Sequence, residues 1–152
     1  MAIRKEGAFI EIALPNGKYS YGRILGKASF GFYNIYSDER VTDLDKIKNS
    51  RILFINSVYK HAITKNRWKI IGASEIEPNL KNLPMEFIQD ELDPNQFEIY
   101  DPNTGEMKPA KKADCVGLER AAVWEPQHVE ERIIDYFEGR PNKWFESLKI
   151  KN

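Results

Sequence analysis

Pro126 is followed by Val129, Ile133, Tyr136 and Phe137, apolar residues at i, i+4, i+7 and i+8, with Gly139 just beyond them. Proline suits a first helical turn and glycine a helix end, so the pattern predicts one amphipathic helix with these four side chains buried. Glu130, Glu131, Asp135 and Glu138 then fall on its other side, toward solvent. Earlier in the chain, Pro78, Pro84 and Pro94 prevent any long helix between Glu75 and Asp101, which leaves strand-length pieces such as Phe87-Ile88 and Gln96 to Tyr100.

The N-terminal half reads as strands. Phe9 to Leu14 is β-branched and aromatic and runs into Pro15-Asn16-Gly17, whose Asn-Gly pair favours a turn. Tyr19, Tyr21, Arg23 and Leu25 then alternate with smaller or polar residues, and Phe30 to Tyr36 follows Gly26, so a three-stranded meander is expected. Gly22 and Gly31 inside these runs predict bends or bulges. Arg51 to Tyr59 and Arg67 to Gly72 read as two further strands, the first buried on both faces, with a short helical turn near Asp43 to Ile47 before them. Asp101 to Gly105 reads as a turn, and Asn142 caps a last short helix carrying Trp144, Phe145 and Leu148. Strands first and helices last give an α+β fold: a strongly bent antiparallel sheet or small, partly open β-barrel with C-terminal helices packed on it. At 152 residues the chain is expected to form a single domain, 1–152.

Charge narrows the partners. Lys plus Arg and Asp plus Glu are each 23, a zero balance that argues against a protein devoted to nucleic acid, because phosphate neutralisation needs a basic surplus. The distribution along the chain is uneven. From Arg40 to Gly72 eight basic residues outweigh Asp43 and Asp45, whereas from Ser74 to Glu106 nine acidic residues face only Lys81, and from Glu119 to Glu138 six face Arg120 and Arg132. Either the acidic segments converge into a patch for a basic protein, or folding interleaves them and they only keep the surface soluble.

Chemistry-bearing motifs are few in the chain. Cys115 is the single cysteine, which excludes an intrachain disulfide, fits a reducing compartment and lacks a basic neighbour that would activate it. His61 and His128 show no metal-ligand spacing, and no nucleophile-elbow, phosphate-loop or dinucleotide signature is present. No catalytic, metal or cofactor site is therefore expected. Glu11 and Pro15 interrupt the apolar stretch that a signal peptide would need, and no apolar run approaches membrane-spanning length; the expected location is the cytoplasm.

Several local patterns occur in one order along most of the chain: Gly7-Ala8-Phe9-Ile10-Glu11-Ile12, Leu14 to Leu25, Phe32-Tyr33, Trp68-Lys69-Ile70-Ile71-Gly72, then Trp124-Glu125-Pro126 with Val129 to Ile133. Together they resemble immunity protein family 26 of bacterial polymorphic toxin systems. That resemblance implies a cytoplasmic, non-enzymatic antitoxin that binds a cognate protein toxin and blocks it. A toxin acting on nucleic acid would be basic because its substrate is acidic, so Asp90, Glu91, Asp93, Glu98, Glu130 and Glu131 are the expected contacts, without membrane or direct nucleic-acid binding.

Two other readings stay open at this stage. A small nucleic-acid-binding barrel would expose Tyr19, Tyr21, Phe30 and Phe32 beside Lys60, Lys65, Arg67 and Lys69. An enzyme would gather two or more of Glu75, Glu77, Glu86, Asp90 and His61 in a deep pocket.

Overall fold

A computed structural model describes residues 2–152. Its ten strands and six helices form an α+β fold with two mixed sheets, neither closed into a barrel. The expected meander is present: β1 (Ala8–Ala13), β2 (Tyr19–Ile24) and β3 (Ser29–Tyr33) pair antiparallel in sequence order. The Asn-Gly turn holds Gly17 at φ 88°, a conformation that suits glycine.

β4 (Ile52–Val58) continues the sheet beyond β3, and β5 (Lys69–Ala73) closes its other side against β1. Between them, His61–Thr64 forms a short helix, α2. The predicted turn at 43–47 is α1 (Leu44–Lys48), capped by the Asp43 carboxylate, which accepts from the Asp45 and Lys46 amides. β4 is not buried on both faces: Ile52 to Ile55 are half-buried, because the neighbouring edge strand reaches only Ser57 and Val58.

The glycines also behave differently from expectation. Pairing runs unbroken through Gly22 and Gly31, and the register shifts fall at Phe9/Ile10 and Phe32/Tyr33 instead. Gly22 is required by closeness: a Cβ there would stand 2.8 Å from the Gly31 carbonyl oxygen.

After β5 the chain leaves this sheet through α3 (Pro78–Lys81) and builds a second one. β6 (Glu86–Gln89), β7 (Phe97–Asp101) and β8 (Glu106–Ala110) form an antiparallel meander, followed by α4 (Lys112–Cys115). β9 (Glu119–Arg120) then pairs parallel with β6, and β10 (Val123–Trp124) pairs parallel with β4 of the first sheet. The sheet orders are β10-β4-β3-β2-β1-β5 and β8-β7-β6-β9. One six-residue stretch therefore contributes a strand to each.

The predicted helix is α5 (Pro126–Phe137), with Pro126 in its first turn and Gly139 beyond its end at φ 73°. It packs on the first sheet, where Val129 and Ile133 join Ile10, Ile12, Ile24, Phe30, Phe32 and Trp68 in the main core. Trp68 stands edge-on to Phe30 and Phe32, with ring centroids 5.7 and 5.6 Å apart. Tyr136 is not buried but half exposed, as it lies past the rim of that core and meets the Phe137 ring edge-on. α6 (Lys143–Ser147) is capped as expected by Asn142, whose side chain accepts from the Phe145 amide. On the opposite face of the first sheet, Phe9, Tyr21 and Tyr33 are covered by Ile47 of α1, and Phe87, Phe97 and Cys115 form a smaller core on the second sheet.

Candidate functional site

Three carboxylates of the acidic segment, Asp90, Glu91 and Asp93, lie in the turn between β6 and β7, which is tightly organised. Asp90 Oδ1 accepts from the amides of Leu92 at 2.7 Å and Asp93 at 3.0 Å, and Asp93 Oδ1 accepts from Asn95 at 3.1 Å. The amides of Asp93 and Leu92 hold the Asp90 carboxyl below the usual carboxylate range, so it stays ionised. Asp90, Glu91 and Asp93 are all exposed, and between them Leu92 is 97% exposed at the tip. No Lys or Arg among the described residues forms an ion pair with any of the three.

Behind the turn lies a cleft of about 330 Å³, lined by Asp90, Glu91, Pro94, Arg120 and the C-terminal Leu148 and Lys151. Gln89 fixes this wall by donating to the carbonyls of Pro94 and Lys151, and Arg120 donates to the Leu148 carbonyl at 2.9 Å. Glu98 lies one strand over, half-buried on β7 opposite Ile88 and Pro109. Glu131 is exposed on α5, away from this turn, and accepts from the Trp144 indole N–H.

Glu130 does not belong with them. Its side chain is almost fully buried, accepting from Arg67 Nε and Nη2 at 2.8 and 2.9 Å and from Trp68 Nε1 at 2.8 Å. The helix turns this carboxylate inward because Trp68, in the core, presents an N–H that needs an acceptor there.

The groups required by the two competing readings are dispersed. Tyr21, Phe30 and Phe32 are completely buried and Tyr19 is half-buried under Arg40, so these four aromatics offer no stacking face beside the lysines. Glu77 is bound by Arg23, His61 lies 3.3 Å from Glu125, Glu75 faces Lys81 and Glu86 is buried in the second sheet. Burial pushes the Cys115 thiol up, with Asp114 adding to the effect, which suppresses the thiolate a nucleophile needs. Among the described residues no group of three or more His, Cys, Asp and Glu side chains could hold a metal ion, and no helix is long and apolar enough to cross a membrane.

Two arginines that hold this arrangement together escaped the sequence reading. Arg23, fully buried on β2, donates to the Gly7, Ser74 and Glu75 carbonyls and to Glu77, tying down the segment that leads from one sheet to the other. Arg132 of α5 lies 3.7 Å over the Phe54 ring and 4.3 Å over Phe145, and reaches Glu119 of the second sheet through two bonds of 2.9 and 2.8 Å. The signal for Arg23 was its place in phase with Tyr19, Tyr21 and Leu25. Arg132 had only its adjacency to Ile133.

No curated protein and no solved structure matches the chain. A family model, Immunity protein 26, matches residues 5–98, which includes β1 to β6, the acidic turn and the start of β7. With that match covering the N-terminal meander, Trp68 and the Asp90 to Asp93 turn in one stretch, the chain belongs to the Immunity protein 26 family.

Proposed function

We propose that the protein is an antitoxin of a polymorphic toxin system, binding one cognate toxin in the cytoplasm and blocking it without chemistry of its own. The observation that carries the location of contact is the β6–β7 turn, where Asp90, Glu91 and Asp93 stand exposed around Leu92 and outside any ion pair among the described residues. Folding has paired Glu130, Glu119 and Glu77 with arginines of the same chain. Asp90, Glu91 and Asp93, gathered in one turn, keep their charge available to another molecule. Because their turn is held by its own amide bonds, little ordering entropy is lost when it docks. A basic toxin, a nuclease being the natural case, would meet this turn with Glu98 beside it, and attraction over such distances raises the association rate. Glu131 is a contact only if the interface extends to α5.

Co-expression with the toxin encoded beside its gene tests the role: cells survive with the intact protein and die without it. Stopped-flow association of the purified pair tests the surface. The rate falls with rising salt, and replacing Asp90, Glu91 and Asp93 by Lys lowers it at least tenfold with an unchanged melting temperature. Killing despite co-expression removes the antitoxin role, whereas protection with an unaltered rate moves the contact elsewhere.

A further inference from the structure

We propose that the open edge of the first sheet at Val123 receives an extended segment of the toxin carrying a basic side chain, which seats in the neighbouring cleft against Glu125. This rests on the reading that the protein binds a toxin, and it adds a second contact, distinct from the acidic turn.

Backbone geometry is the first ground. β10 is the edge strand, paired with β4 on one side only. Trp124 accepts from the Tyr59 amide at 3.1 Å and is the residue that aims its polar groups at β4. In a parallel ladder this direction alternates, so the N–H and C=O of Val123 point away from β4, toward the open edge. No backbone partner meets them among the described residues. The Val123 side chain is 47% exposed and that of Tyr59 46%, two large apolar groups on the surface at one place.

Beside this edge lies a cleft of about 280 Å³ between β10 and the helices, walled by Tyr59, Val123, Trp124, His128, Trp144 and Leu148. Its walls are firm: His128 stacks on Trp144 with centroids 3.6 Å apart, and Tyr59 stacks on His61. One feature says what would occupy it. Glu125 is the cleft's one carboxylate and no Lys or Arg lines it; its neighbour His61, 3.3 Å away, is a cation only when protonated, so the site suits a permanently charged basic side chain. An extended segment supplies it from side chains that alternate toward the cleft, while its backbone meets the Val123 N–H and C=O, which is how a peptide extends an existing sheet. The added strand's inward side chain would lie between β10 and α5.

The test uses the full chain and an inactivated form of the toxin encoded beside its gene. Val123→Pro removes the edge N–H without touching a bond made within the protein, and Glu125→Lys reverses the cleft's charge. Each is expected to weaken toxin binding at least tenfold in calorimetry at a temperature where the variant is fully folded, and the wild-type Val123 amide to exchange hydrogen more slowly in the complex than alone. Should Val123→Pro unfold, Glu125→Lys and the exchange measurement decide. Wild-type affinity in Glu125→Lys together with an unprotected Val123 amide overturns this proposal and leaves the antitoxin role intact. A toxin that does not bind the wild-type protein overturns both. A dimer of the free protein that Val123→Pro abolishes assigns the edge to a second copy and overturns it as well.

Discussion

Arg67 and Glu130 face each other through two parallel bonds, 2.8 and 2.9 Å long, across the join between the strand-rich half and α5. Glu130 is buried and also accepts from Trp68, whereas the Arg67 side chain remains 46% exposed. The acid is therefore the partner whose loss is costly. Glu130→Ala should destabilise by roughly 3 kcal/mol, because it strands the buried Trp68 N–H, and Arg67→Ala by less, because water replaces part of what the arginine did. Urea unfolding of the two variants checks the order; equal and small losses would contradict it.

The second prediction concerns Arg23, whose guanidinium holds Gly7, Ser74, Glu75 and Glu77 and stacks 4.1 Å over Phe9. Arg23→Met should cost roughly 3 to 5 kcal/mol by leaving several buried acceptors unmet. Arg23→Lys should restore little, since an ammonium cannot reproduce the planar fork. A melting temperature within a degree or two of wild type for Arg23→Lys would refute the planar-fork argument.

Acid stability offers a third test. Glu86 and Glu119 are register partners on β6 and β9, and burial followed by the Glu119 charge pushes the Glu86 carboxyl up to about 7. An acid whose pKa is raised on folding binds its proton more tightly in the native state. Native stability therefore falls as pH rises from the unfolded value of 4.5 through about 7, and is level above that. Glu86→Gln should remove most of this slope and stabilise the protein at pH 8 by roughly 1 to 3 kcal/mol. Unfolding free energies measured from pH 5 to pH 8 on both proteins would show it; parallel profiles would count against it.

A fourth prediction separates the family match from the folding unit, which we propose is the whole chain, 1–152. The match ends at residue 98, inside β7. Beyond it lie Trp124, Val129 and Ile133, all in the main core, and Glu130, which satisfies Trp68. A fragment of residues 5–98 should stay unfolded, with circular dichroism lacking a cooperative melt. Within the full chain, Ile133→Ala should cost ~2 to 5 kcal/mol through the cavity it leaves.

Much of this architecture was legible because long elements leave periodic traces. The meander, α5 with its Pro126 start, and the Asn142 cap each rest on several residues repeating at one spacing. β9 and β10 could not be read, because two residues carry no period and their parallel partners lie far away in the sequence. Glu130 was misplaced for a related reason. Periodicity puts carboxylates on the outer face by default, and only the distant Trp68 N–H and Arg67 turn this one inward. At the candidate site the residues Asp90, Glu91 and Asp93 were legible as charge, while the open edge at Val123 depends on strand order that composition does not record.

The stretch from Glu119 to Trp124 gives its first two residues to one sheet and its last two to the other, while Arg132 reaches from α5 back to Glu119. Such a stretch behaves as a mechanical tie: a load that draws the sheets apart runs along its backbone and is resisted in shear by the two parallel pairings in series, so the tie holds only as long as the weaker of them. A toxin gripping the edge at Val123 would load that tie directly, and a pull on one sheet would be felt in the other.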